Sequence, residues 1–100
     1  MAAKTEVPTG TVFTITVPLD RSKKNIATFH IKEMTEEVFM AAKSMTDVGK
    51  DFDAVRLVIK ELYLGGDATE LLKNNYVAIS SASRQVMEFM KPIDVEIKKN

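Results

Sequence analysis

The stretch IATFHIKEMTEEVF, residues 26–39, changes periodicity part-way, and that change decides the fold. From Ile26 to Lys32 apolar and polar residues alternate. Ala27, Phe29 and Ile31 fall on one face of a strand, and Thr28, His30 and Lys32 on the other. At Thr35 the pattern becomes helical. Threonine is a good N-cap, and Glu36 and Glu37 suit the positive end of a helix. Val38, Phe39, Ala42 and Met45 form the apolar stripe of a helix that should run to about Val48, where Gly49 is placed to end it.

Upstream, residues 11–19 (TVFTITVPL) alternate as well. Phe13, Ile15, Val17 and Leu19 share a face, and Pro18 belongs near a strand end or on an open edge. DRSKKN, residues 20–25, is a polar link with turn formers at Asp20 and Asn25. Two alternating runs across so short a link read as an antiparallel hairpin. Residues 1–10 carry no apolar run and are expected to be a flexible N-terminus without a signal peptide.

Downstream, Phe52, Val55, Val58, Ile59, Leu62 and Tyr63 recur at three- and four-residue spacing, the strongest periodic signal in the chain. Gly65-Gly66 should stop this second helix. Asp67 and Glu70 have capping-box spacing ahead of a short third helix over residues 68–73. Helical spacing returns through Tyr76, Ile79, Val86, Phe89 and Met90, and the serines at 80, 81 and 83 predict an interruption or a fresh cap. After Pro92, Ile93, Val95 and Ile97 alternate with Asp94, Glu96 and Lys98. That strand is expected to join the hairpin. The expected fold is therefore one α+β domain over residues 11–100. It has a three-stranded antiparallel sheet, made of the hairpin and the C-terminal strand, packed against three to four short helices.

Composition narrows the class of function. The chain has 100 residues, 45% hydrophobic and 28% charged, with a formal net charge of +0. Such a balance suits one small globular domain and gives no general attraction to nucleic acid or anionic membrane. The absence of cysteine removes disulfides and thiol chemistry. No apolar run approaches membrane-spanning length, and a soluble cytoplasmic protein is expected.

Candidate chemistry is sparse. His30 is the only histidine, and its strand face offers neither a second histidine nor a carboxylate partner. Gly65-Gly66-Asp67 lacks the remaining glycines and the lysine of a phosphate loop. A helix-turn-helix reading places Glu70 where phosphate would sit. No catalytic, metal or cofactor residues are expected, and the chain reads as a non-enzyme. Methionine is more informative. Met34, Met40, Met45, Met87 and Met90 cluster in the first and last helical regions, where the residue fills cores or lines adaptable surfaces. Met40 lies off the buried stripe and is the best candidate for an exposed contact. Tyr63 and Phe89 are further candidates for partner binding.

The segment DFDAVRLVIKELYLGGDATELLKNNYVAISSASRQVMEFMKP, with the strands FTITVPL and ATFHIK before it, resembles small phage tail assembly chaperones and related prophage proteins. The likeness is one of element order and apolar pattern over residues 11–98. It implies a non-enzymatic helper that holds the tail tape-measure protein during assembly. The terminal strand is not a feature of that family. A second expectation is a small structural virion or host protein that forms homo-oligomers through a sheet edge.

Overall fold

The two alternating runs form an antiparallel hairpin. The computed structural model describes residues 7–92. In it β1 (Phe13–Pro18) pairs with β2 (Ile26–Ile31), from Phe13 opposite Ile31 to Pro18 opposite Ile26. The turn is organised by Asp20. Its carboxylate accepts from the Ser22 hydroxyl, from Lys23 N at 3.0 Å and from Asn25 Nδ2 at 2.9 Å. Those bonds, the Ser22 hydroxyl first and the Asn25 amide next, hold its carboxyl below the usual range. Lys23 takes the left-handed conformation (φ 64°) that closes the turn.

The sheet has the expected three antiparallel strands, in the order β1-β2-β3. Its third strand is not the expected one. β3 is Tyr63–Gly66, the segment read from the sequence as a helix end and its stop. Gly66 lies opposite Phe29 and Gly65 opposite His30. The proposed C-terminal strand, residues 93–98, lies outside the described residues. Asp67 also takes a different role. It does not cap the following turn; its carboxylate accepts from Thr28 N at 2.8 Å, while its own N–H donates to Thr28 O at 2.8 Å. The third helix shrinks accordingly to a one-turn 3-10 helix, Thr69–Leu72.

The main helices follow the periodicity. α1 (Glu36–Asp47) opens with the Thr35 hydroxyl accepting from Val38 N at 3.2 Å. It ends in a Schellman motif, with Lys50 N bonded to Met45 O, Gly49 N bonded to Thr46 O, and Gly49 at φ 82°. α2 (Asp51–Leu62) buries Ala54, Val55, Val58, Ile59 and Leu62. α3 (Tyr76–Met90) is one continuous helix, without the interruption predicted at its serines. Ser80 bonds back to Val77 O at 3.2 Å, which keeps its hydroxyl paired inside the helix. Small Ala78 and Ala82 are buried on the same stretch. Asn75 caps α3 by accepting from Ala78 N at 3.0 Å and ties it to the residue after β1 by donating to Leu19 O at 3.1 Å.

The core lies between the inner face of the sheet and α2 and α3. Ile15, Val17, Ala27, Phe29 and Ile31 meet Val55, Val58, Ile59, Leu62, Ile79 and Val86 there. α1 packs against α2, and α3 runs along β1. Among the described residues no helix is long and apolar enough to cross a membrane.

Candidate functional site

Two surfaces stand out. The first is the face of α1. That helix buries only Ala42 of its 12 residues, whereas α2, of the same length, buries five. Val38, Phe39 and Met45, expected in the core, are half-buried, and Ala41 is exposed. Met40 is 56% exposed. A shallow cleft of about 210 Å³ separates α1 from α2, lined by Val38, Ala41 and Leu57 with Glu37 and Glu61. An apolar floor with an acidic rim suits a helix or loop carrying apolar anchors and cations.

The second surface is a groove of about 570 Å³ between the end of the hairpin and α3. Thr16, Ile26, Ser80, Ser81, Lys23 and Arg84 contribute to its walls. Sequence reasoning missed it. Lys23 lies in the polar link 20–25, and Thr16 and Arg84 are 68 positions apart, too far for any local pattern to join them.

The three residues singled out from the sequence sit on three separate elements. Met40 keeps its exposed position on α1. The Tyr63 hydroxyl is shared between Gly66 O at 3.0 Å and Asp67 O at 2.9 Å, which braces the end of β3. Phe89 is half-buried and stacks on Phe13, with ring centroids 4.8 Å apart and planes at 24°. Tyr63 and Phe89 thus lie toward opposite edges of the sheet.

His30 is half-buried on the outer face of β2, and its Nδ1 lies 3.0 Å from the Thr14 hydroxyl of the paired strand. No group of three or more histidine, cysteine, aspartate or glutamate side chains is placed to hold a metal ion among the described residues. His30→Ala removes one partly exposed hydrogen bond and is expected to cost less than about 1 kcal/mol. Urea unfolding of the variant checks this. A metal that co-purifies with the parent and is lost in the variant would contradict it.

No family model, curated protein or solved structure matches this chain.

Proposed function

We propose that the chain is a non-enzymatic assembly factor that binds a protein partner through the apolar face of α1. The observation that carries this reading is the asymmetry between the two paired helices. α2 has its apolar stripe covered, while α1 leaves Val38, Phe39 and Met45 partly open and Met40 exposed. Apolar side chains left open on α1, two of them adaptable methionine and Met40 on the side away from Val38 and Met45, favour a protein contact. The resemblance of residues 11–98 to phage tail assembly chaperones gives the partner its identity: a tail tape-measure protein, met in the cytoplasm before the tail is complete.

The reading is tested by co-expression with a phage tail tape-measure protein. A stable complex is expected, and Met40→Glu should remove it while leaving the unfolding midpoint of the free chain unchanged, because Met40 is 56% exposed. A complex that forms equally well with Met40→Glu, or no complex with the parent, sinks the reading.

A further inference from the structure

Thr16 lies in the middle of β1, the edge strand of the sheet. Its N–H donates to Gln85 Oε1 at 3.2 Å, and its carbonyl accepts from Gln85 Nε2 at 2.8 Å. Both backbone groups therefore point away from β2. Antiparallel alternation sends those of Thr14 and the carbonyl of Pro18 the same way. A side-chain carboxamide offers one acceptor and a pair of donors, so Gln85 stands where a peptide group of an added strand would stand. Gln85 Nε2 also lies 3.3 Å from Ser81 O, so a partner on its own helix remains if it lets go of β1.

The groove beside this edge is chemically one-sided. Its lining includes two cations, Lys23 and Arg84, and no carboxylate. Neither cation is in an ion pair among the described residues. Apolar surface lies next to them: Ile26 is 56% exposed, and Val77 is half-buried across the groove.

We propose that the β1 edge and this groove form a docking site for an extended segment of a partner protein in which apolar and acidic residues alternate, with Gln85 as a latch that the segment displaces. Backbone hydrogen bonds to Thr14 and Thr16 supply the register, as in strand addition at other sheet edges. An added strand can offer apolar side chains to Ile26 and Val77 and carboxylates to Lys23 and Arg84. A second copy of this chain fits less well. Antiparallel pairing centred on Thr16 would bring the Arg84 of both copies together. The site is on a different face from α1, so it stands or falls independently of the proposed α1 contact.

The experiment is an NMR titration of the isotope-labelled full chain with the peptide acetyl-Val-Glu-Val-Asp-Val-amide. A second probe has lysine in place of both acids. The acidic peptide is expected to shift the Thr14, Thr16 and Arg84 amides, and the basic peptide to leave them unmoved. Gln85→Ala should tighten binding about five- to thirtyfold, the equivalent of one or two intramolecular hydrogen bonds no longer competing. Arg84→Glu should weaken it roughly tenfold. The proposal is overturned if neither the parent nor Gln85→Ala shows shifts along β1, or if both peptides bind equally. It is also overturned if Gln85→Ala ignores the peptide but self-associates in a way that Thr16→Pro abolishes, since the occupant is then a second copy.

Discussion

Gly66→Ala is expected to destabilise the protein by about 3 kcal/mol. Gly66 has φ 115°, a conformation that side chains rarely adopt. A Cβ placed there would stand 2.3 Å from the Thr28 carbonyl oxygen and 3.2 Å from Phe29 Cα. Both are backbone atoms of the central strand, and neither can turn aside. The clash is relieved only if β3 moves off β2. That movement breaks the paired bonds between Thr28 and Asp67. The backbone strain contributes roughly 1–2 kcal/mol and the lost hydrogen bonds about as much again. Gly65→Ala is the control. Its Cβ meets Pro8 Cγ at 2.9 Å, a side-chain atom near the N-terminal end of the described chain, so a shift of that segment relieves it at lower cost. Urea midpoints of the two variants give the comparison. Equal midpoints for Gly66→Ala and the parent would mean that β3 is not held against β2 as described.

Leu62→Ala is expected to cost roughly 2–5 kcal/mol, the range for removing a large apolar side chain from a packed core. Leu62 is 1% exposed at the last position of α2, and its carbonyl accepts from Lys32 N at 2.9 Å. The side chain therefore fills the core at the point where the helix hands over to β3. Truncation leaves a cavity between α2 and the sheet, and the fixed backbone bond to Lys32 limits how far the helix end can close it. The midpoint in urea should fall while the slope of the transition stays constant. An unchanged midpoint would place Leu62 outside the core.

Much of this architecture is written in period-two and period-three-to-four patterns. The hairpin strands are legible because Phe13, Ile15 and Val17 face Ala27, Phe29 and Ile31 across the register, and all but Phe13 are fully buried. α2 is legible because its stripe is complete. β3 is not. It has four residues, two of them glycine, and what makes it a strand is the free edge of β2 rather than any alternation of its own. Asp67 looks like a cap because capping and edge pairing ask for the same carboxylate beside a backbone N–H. Only the tertiary fold brings Thr28 N within 2.8 Å and decides between them. The serines of α3 mislead for a related reason. Their preference for breaking helices is weak, and burial of Ala78, Ala82 and Val86 against β1 and α2 overrides it.

The candidate surfaces divide in the same way. The exposure of Met40 is legible in the sequence because a residue off an apolar stripe faces solvent. Phe89 and Tyr63 have the composition of contact residues, yet Phe89 is committed to Phe13 and the Tyr63 hydroxyl to the end of β3. The groove at β1 depends on Gln85 reaching a strand 69 positions away, for which no local pattern exists.

The proposed α1 contact is tested most directly by hydrogen exchange on the chain alone and co-expressed with a tail tape-measure protein, the proposed partner. Slowed exchange through Glu36–Asp47, strongest around Met40, with Met40→Glu abolishing it, is the result the proposed α1 contact predicts. A complex in which the α1 amides exchange at the rate of the free chain would contradict it.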